Sequence, residues 1–180
     1  MQSKKKLQKV AFLDRDGVIN SSKPNNGYIG HLKYFKWVPG AKRAIQFLKK
    51  KNYRVVVVTN QSGVARGYFK ISNVYKIHNH IQNELKNIST FIDGFYFCPF
   101  HKDGIVKKYK KKSSLRKPKI GMFNLVKKKW NIDKKNSFII GDQETDIEFA
   151  KRAKIRGYFF KEKNLYKFIK KNISITNYKN

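Results

Sequence analysis

Residues 10–17 read Val-Ala-Phe-Leu-Asp-Arg-Asp-Gly, a short apolar run that ends abruptly in two aspartates. Four consecutive apolar residues are typical of a strand buried inside a parallel sheet. Asp14 and Asp16 therefore follow directly on the predicted first strand. Ligands of such sheets bind at the edge where the strands end. The position of these two carboxylates indicates a functional site.

The rest of the apolar pattern alternates between strands and helices. Ala41, Ala44, Ile45 and Leu48 have the i, i+3, i+4, i+7 spacing of a helix face. Further strands are predicted over residues 53–58, 95–98, 138–140 and 158–160, and further helices over 74–85, 122–130, 147–153 and 165–169. This alternation predicts an α/β fold, a Rossmann-like three-layer sandwich with a mostly parallel sheet.

The length of 180 residues suits a single domain with a sizeable core. We expect the core over about residues 9–171, a long basic loop over about 99–119, and a polar tail over 172–180. The chain contains no internal repeat and no insertion large enough for a cap domain. A fairly open site is therefore expected.

The composition indicates in which cellular compartment the protein is expected. No run approaches the roughly 18 apolar residues of a membrane span, and the basic residues 1–9 precede no signal-like apolar stretch. Cys98 is the only cysteine, which rules out an intrachain disulfide and agrees with a reducing compartment. We expect a cytoplasmic monomer that does not contact membranes.

The chain is strongly basic, with 42 Lys and Arg residues against 11 acids and a net charge of +31. This charge could indicate a polyanion partner such as nucleic acid. However, the lysines are spread along nearly the whole chain and no nucleic-acid-binding motif accompanies them, which favours a solvated basic surface. Anionic substrates, and polyanions at low salt, would still be attracted without specificity.

The positions of the few acidic residues along the chain indicate where a functional site lies. Asp142 follows the predicted strand 138–140, and Asp146 lies four residues further on. Taken singly, each aspartate could belong to a turn or cap a helix. Together with Asp14 and Asp16 they would converge at one sheet edge, where like charges require a cation. Oxygen ligands of this kind suit Mg²⁺.

Four stretches resemble the motifs of the haloacid dehalogenase superfamily of aspartate-nucleophile phosphatases. They are residues 14–20 (Asp-Arg-Asp-Gly-Val-Ile-Asn), 57–67, which include Thr-Asn-Gln-Ser-Gly, 116–118 (Arg-Lys-Pro) and 141–146 (Gly-Asp-Gln-Glu-Thr-Asp). The residues of these four motifs are most similar to those of the heptose 1,7-bisphosphate phosphatases and the related histidinol phosphatases. The resemblance extends over about residues 9–160 and implies the fold of that superfamily.

The resemblance implies a role for each motif. Asp14 would attack phosphorus and form an aspartyl-phosphate. Asp16 would protonate the leaving alcohol and then deprotonate the hydrolytic water. Thr59 and Lys117 would stabilise the transferring phosphoryl group.

The resemblance also implies a metal site and a substrate pocket. Asp14, the backbone carbonyl of Asp16, and Asp142 would bind Mg²⁺, and Asp146 would orient its neighbours. The residues implied to contact the substrate are Asn60, Gln61, Ser62, Arg116, Gly27 and Tyr28.

The chain departs from the heptose phosphatases in a loop that usually binds structural zinc. Cys98 and His101 retain its opening, but Phe100 stands in place of the usual ligand histidine. Ser113 and Leu115 stand where two later cysteines would be. Because four thiolate or imidazole ligands are lacking at the required spacing, we predict no structural zinc.

These observations predict a magnesium-dependent phosphomonoester hydrolase, with heptose 1,7-bisphosphate of lipopolysaccharide or capsule synthesis as the first candidate substrate. Gln143 stands where the heptose enzymes commonly have a lysine. This difference affects the assignment of the substrate more than that of the reaction type. The alternatives are histidinol phosphate or another small phosphomonoester, and a nucleic-acid 3′-end. A catalytically inactive polyanion-binding module is disfavoured because the motif residues are intact.

Overall fold

The computed structural model describes residues 6–22 and 27–174 and confirms the predicted α/β fold. Five parallel strands form one sheet in the order β3-β2-β1-β4-β5. They are β1 (Val10–Leu13), β2 (Arg54–Asn60), β3 (Gly94–Cys98), β4 (Phe138–Gly141) and β5 (Arg156–Phe159). The strand that carries Asp14 at its end is therefore the central one.

Helices connect the strands and cover both faces of the sheet. They are α1 (Ala41–Lys50), α2 (Ile71–Lys86), α3 (Gly121–Lys129), α4 (Glu144–Ala153) and α5 (Leu165–Ser174). Within the described ranges, no inserted domain interrupts this alternation. No described helix is long and apolar enough to cross a membrane.

The polar tail begins later than predicted. Helix α5 continues to Ser174, and Ile173 is buried in the core. Asn172, expected from the sequence as the first residue of the tail, is helical, and its side chain donates to the Phe168 carbonyl at 2.8 Å. The remainder of the predicted tail, residues 175–180, lies outside the described residues.

The alternation of side chains along β1 and β2 divides the core into two layers. Ala11, Leu13, Val55 and Val57 pack with the apolar faces of α1, α2 and α5. The intervening side chains, among them Phe12 and Val56, pack against α3 and α4. All four residues of β1 are fully buried, and the side chains of Val10, Phe12 and Leu13 each contribute about 1.5–3 kcal/mol to stability. The site is thus built on the most protected strand.

The register of the sheet brings the strand ends together. Leu13 pairs with both Val57 and Ile140, and the amide of Asp14 donates to the Ile140 carbonyl at 2.9 Å. The residues that follow β1, β2 and β4 therefore emerge at one edge, as the sequence predicted.

The basic loop over 99–119 contains local structure. A short 3₁₀ helix spans Lys107–Tyr109, and His101 pairs with Lys110. The amides of Ile105 and Val106 both donate to the Ala65 carbonyl, at 2.8 and 3.0 Å. These bonds anchor the loop to the segment that follows β2, next to the edge where the site lies.

Candidate active site

Asp14 lies at the end of the central strand with 7% of its surface exposed. Its Oδ1 atom accepts a hydrogen bond from the Arg15 amide at 2.7 Å. The same oxygen lies 3.2 Å from the ammonium nitrogen of Lys117. A carboxylate with this limited exposure, beside a cation and at a ligand-binding edge, is positioned to act as a nucleophile.

Lys117 is almost completely buried and places its charge among several oxygens. Its ammonium group donates to the Val58 carbonyl at 2.9 Å and lies 2.5 Å from Asp146 Oδ1. The side chain of Asn60 bonds to the Lys117 backbone in both directions: Oδ1 accepts from the amide at 3.0 Å, and Nδ2 donates to the carbonyl at 3.2 Å. Asn60 thereby fixes the position of the Lys117 backbone.

A cluster of carboxylates lies beside this lysine. Ligand oxygens of Asp14, Asp142 and Asp146 all lie within 4.8 Å of one another, the only such group found in the described part of the chain. Asp142 Oδ1 is buried without a hydrogen-bond partner. An unpartnered buried oxygen among hard oxygen ligands fits a divalent cation such as Mg²⁺. Asp146 instead contacts Lys117 and the Gln143 amide, which fits an orienting role.

The proximity of these groups alters their ionisation. Burial raises the pKa of Asp14 to about 7, with Lys117 opposing and the carboxylates of Asp146, Asp16 and Asp142 adding to the shift. Burial also raises the pKa of Asp142. Burial would lower the pKa of Lys117, but Asp14 and Asp146 outweigh it and raise that pKa. The lysine is therefore charged, and the cluster favours an added cation.

Asp16 lies among hydrogen-bond donors. Its Oδ1 accepts from Arg15 Nε at 3.0 Å and from Asn20 Nδ2 at 2.9 Å. Its Oδ2 accepts from Arg15 Nη2 at 3.0 Å and from Gln61 Nε2 at 2.9 Å. Gln61 Nε2 also donates to Thr59 Oγ1 at 3.0 Å, so that Asp16 and Thr59 are linked through one amide.

Arg15 and Asn20 were not singled out from the sequence, although both are completely buried at the site. Cationic residues are common in this basic chain, and the position of Arg15 between two aspartates does not show where its side chain points. Only its lack of exposure distinguishes it from the surface cations.

The predicted substrate-contacting residues differ in accessibility. Gln61 and Ser62 are buried, whereas Asn60, Arg116 and Tyr28 are half-buried and Gly27 is exposed. The Tyr28 ring packs edge-on against Tyr68, with ring centroids 5.0 Å apart. These residues lie on different segments, and no contact joins Gly27 to the carboxylate cluster.

Arg116 and Lys117 border an open cleft of about 370 Å³. None of the described residues that line it carries a carboxylate, and burial lowers the pKa of Arg116. The other cationic residues along the cleft are Lys102, Lys111, Lys112, Lys119 and Arg152. The cleft is therefore electrostatically suited to an anion.

Cys98 and His101, which the sequence suggested as remnants of a zinc loop, have other contacts. Cys98 is buried and its thiol lies 3.7 Å from the Phe100 carbonyl, to which it donates. Nδ1 of His101 accepts from the Asp103 amide at 3.2 Å, and its Nε2 lies 3.4 Å from Arg66 Nη2. The absence of structural zinc stays a prediction.

The central strand of the parallel sheet ends at Asp14, and a buried lysine and an acidic cluster lie at the same edge. This arrangement fits a phosphatase of the haloacid dehalogenase superfamily. The family model described as polynucleotide kinase 3 phosphatase matches residues 9–162. A D-glycero-beta-D-manno-heptose-1,7-bisphosphate 7-phosphatase from Rhodopseudomonas palustris is 41% identical over 161 residues, which cover 89% of this chain and 88% of the relative. A protein of the same name from Pasteurella multocida is 38% identical, over 83% of this chain and 79% of its own.

Solved structures agree with this assignment. A putative phosphatase of this superfamily from Mesorhizobium loti has a TM-score of 0.76 at 32% identity, covering 85% of this chain and 72% of its own. D,D-heptose 1,7-bisphosphate phosphatase from B. bronchiseptica, complexed with magnesium and phosphate, also has a TM-score of 0.76, at 27% identity and coverages of 92% and 87%. The chain belongs to the haloacid dehalogenase phosphatase family that contains the heptose 1,7-bisphosphate 7-phosphatases.

Proposed function

We propose that this phosphatase is magnesium-dependent and removes the 7-phosphate of D-glycero-D-manno-heptose 1,7-bisphosphate through an aspartyl-phosphate. The observation that carries the proposal is the position of Asp14, whose Oδ1 lies 3.2 Å from the buried Lys117 ammonium and beside the Asp142 carboxylate. A nucleophile, a fixed cation and metal ligands are the parts that phosphoryl transfer requires.

In the first step, a carboxylate oxygen of Asp14 attacks phosphorus. An oxygen–phosphorus bond forms to Asp14 while the bond from phosphorus to the sugar oxygen breaks. Asp16 in its protonated form gives its proton to the departing oxygen, so that the product leaves as a neutral alcohol. Lys117 and the Thr59 hydroxyl stabilise the charge on the transferring group.

In the second step, water attacks phosphorus of the aspartyl-phosphate. Asp16, now a carboxylate, takes the proton of this water. The bond between phosphorus and Asp14 breaks, which releases inorganic phosphate and restores both carboxyl groups. The net reaction converts one phosphomonoester and one water into an alcohol and phosphate.

Asp14, Asp142 and the Asp16 carbonyl would bind the magnesium ion. When bound, it neutralises negative charge on the phosphoryl group and on the carboxylates. The unpartnered Asp142 Oδ1 supports this assignment. So does the magnesium and phosphate complex of the B. bronchiseptica relative.

The names of the relatives support the choice of sugar. Several act on the beta form of D-glycero-D-manno-heptose 1,7-bisphosphate, and one from Photorhabdus laumondii acts on the alpha form. The carboxylate-free cleft beside Lys117 suits a substrate with a second phosphate. We therefore propose the bisphosphate as substrate without assigning an anomer.

A nucleic-acid 3′-phosphate is the second candidate. The description of the matching family model and the net charge of +31 favour it. Binding of this kind would weaken steeply with salt, because the charge attracts the phosphate backbone.

A phosphate-release screen with Mg²⁺ tests the proposal. It compares both anomers of the heptose bisphosphate with histidinol phosphate, other sugar phosphates and 3′-phosphorylated oligonucleotides. We expect the highest kcat/KM for one heptose bisphosphate anomer. A preference for histidinol phosphate or for the oligonucleotide would overturn the proposed substrate. Equal release by an Asp14→Asn variant would overturn the proposed chemistry.

A further inference from the structure

The two carboxylate oxygens of Asp142 have different surroundings. Oδ2 accepts a hydrogen bond from Gln143 Nε2 at 3.2 Å. The same oxygen lies directly over Gly17, where a Cβ would come within 2.0 Å of it. Oδ1 is buried and has no hydrogen-bond partner among the described residues. The protein thus holds one oxygen of Asp142 and leaves the other free, within the carboxylate cluster that Asp142 forms with Asp14 and Asp146.

Gln143 can hold this oxygen because its own backbone is fixed at the start of α4. It is the N-cap residue of that helix. Its amide donates to Asp146 Oδ2 at 3.2 Å, and its carbonyl accepts from the Asp146 amide at 3.0 Å. Reciprocal bonds of this kind across three residues are typical of a capping box. The side chain of Gln143 is exposed, but it starts from a defined position next to Asp142.

The neutral amide of Gln143 orients Asp142 without adding positive charge. The heptose enzymes that this chain resembles commonly have a lysine at this position, and its ammonium group would be a fixed cation beside the same carboxylate. A cation there opposes the binding of a divalent cation, because like charges repel. A carboxamide supplies a donor and leaves the negative charge of the carboxylate cluster intact. Donors of this kind, which bond to a metal-ligating carboxylate, affect metal affinity through its orientation.

We propose that Gln143 is a positioning residue of the magnesium site, whose amide holds Asp142 through Oδ2 and keeps Oδ1 available for the metal. This inference rests on the proposed function, because it takes Asp142 as a Mg²⁺ ligand. It concerns metal affinity and leaves the substrate contacts of the pocket unchanged.

Calorimetric titration with Mg²⁺ in the absence of substrate tests the inference. In Gln143→Met we expect the dissociation constant for Mg²⁺ to rise about tenfold. This is the lower end of the roughly 10–100-fold effect of residues that orient metal ligands, because the bond to Asp142 is exposed. The Mg²⁺ concentration needed for half-maximal phosphate release should rise by the same factor. The melting temperature of the metal-free variant should stay close to that of wild type, since the replaced side chain is exposed.

A second variant, Gln143→Lys, separates orientation from charge. Its ammonium group can still donate to Asp142, but it adds a cation that repels Mg²⁺. Because salt screens exposed charges, the loss of Mg²⁺ affinity relative to wild type should shrink as ionic strength rises. The loss in Gln143→Met involves no added charge and should persist at high salt.

Gln46→Met is the matched control. Gln46 lies on α1 and also donates one hydrogen bond through its amide, to the Ile88 carbonyl at 2.8 Å. It does not belong to the carboxylate cluster, so this variant should bind Mg²⁺ as tightly as wild type.

Unchanged Mg²⁺ affinity in Gln143→Met would overturn the inference. If the KM for the substrate rose at the same time, Gln143 would be a substrate contact alone. A marked fall in the melting temperature of metal-free Gln143→Met would make the residue structural instead. A loss in Gln143→Lys that does not change with salt would contradict the argument from charge. Failure of the proposed magnesium site is separately visible, because Asp142→Asn would then bind Mg²⁺ as tightly as wild type.

Discussion

The ammonium nitrogen of Lys117 lies 3.2 Å from Oδ1 of Asp14, the carboxylate at the end of the central strand. The same nitrogen lies 2.5 Å from Asp146 Oδ1 and donates to the Val58 carbonyl. One buried cation thus contacts two carboxylates, one at the end of β1 and one in the first turn of α4. Its charge and its position both matter to the site.

Replacing Lys117 by methionine should damage both stability and catalysis. Removal of one partner from a buried ion pair costs about 3–5 kcal/mol, because the remaining charge is uncompensated. We expect a lower melting temperature for Lys117→Met and loss of most phosphate release. The control is Lys127→Met on α3, where the side chain is exposed and does not line the cleft beside Arg116. Equal effects of the two substitutions would contradict the assigned role of Lys117.

Asp14→Asn should abolish turnover without loss of the fold. The amide removes the nucleophile but preserves the volume of the side chain. Because burial and three neighbouring carboxylates disfavour the ionised form of Asp14, a neutral replacement should not lower the melting temperature above about pH 7 without metal. Calorimetry and phosphate release measure the two effects. A large fall in melting temperature would show that the charge of Asp14 stabilises the fold.

The stability of the metal-free protein should depend on pH through Asp14. Its pKa is about 7 against an ordinary value of 3.8, so between these values the folded state binds more protons than the unfolded state. Stability then falls as pH rises from about 4 to about 7. The fall should be smaller in Asp14→Asn, as measured by unfolding at several pH values.

The titration of His78 changes the folding stability in the opposite direction over part of this pH range. Burial and the charge of Arg15 lower its pKa to about 3, so stability from this residue rises with pH up to about 6.5. The difference between wild type and Asp14→Asn cancels this contribution. Added Mg²⁺ should stabilise wild type increasingly with pH, since it binds deprotonated carboxylates. Identical pH profiles of the two proteins would refute the assignment.

Gly17→Ala should weaken magnesium binding. Gly17 has a φ of +89°, and a Cβ there would lie 2.0 Å from Asp142 Oδ2, which must then move. Gly27→Ala is a matched control, because Gly27 has a φ of +85° but, apart from its chain neighbours, no atom of the described residues lies within 4 Å of the position that a Cβ would take there. Both substitutions carry the strain of a left-handed backbone, about 1–2 kcal/mol. Only Gly17→Ala should raise the magnesium concentration needed for half-maximal activity.

Purified protein should contain no stoichiometric zinc. The buried thiol of Cys98 has no second cysteine in the chain to join it, and Phe100, Ser113 and Leu115 cannot replace imidazole or thiolate ligands. Elemental analysis after purification without chelators measures this directly. One zinc per chain would require ligands other than those recognised in the loop.

The order of strands and helices could be predicted because buried parallel strands are continuous apolar runs. Strand β2 was predicted to end at residue 58, yet Thr59 and Asn60 continue its pairing with β3 opposite Phe97 and Cys98. Polar side chains at a strand end resemble a turn in the sequence, although their backbone still bonds to the neighbouring strand.

The acidic part of the site could be predicted for a different reason. Aspartates are rare in this chain, so Asp14 and Asp142, each at the end of a predicted strand, are informative. Cations are abundant, and nothing local distinguishes Arg15 from a surface residue. The contacts of Gln61 depend on side-chain directions that arise only when β1 and β2 pair, which the sequence pattern does not encode.

The location of Asp14 on the middle strand affects how the protein should respond to heat. Strands β3 and β5 lie at the two outer borders of the sheet, where fraying begins, and β1 is separated from each by another strand. Hydrogen exchange in β1 should therefore require opening of the whole molecule. Inactivation should coincide with global melting, so that molecules which survive a mild heat pulse retain a fully working catalytic centre.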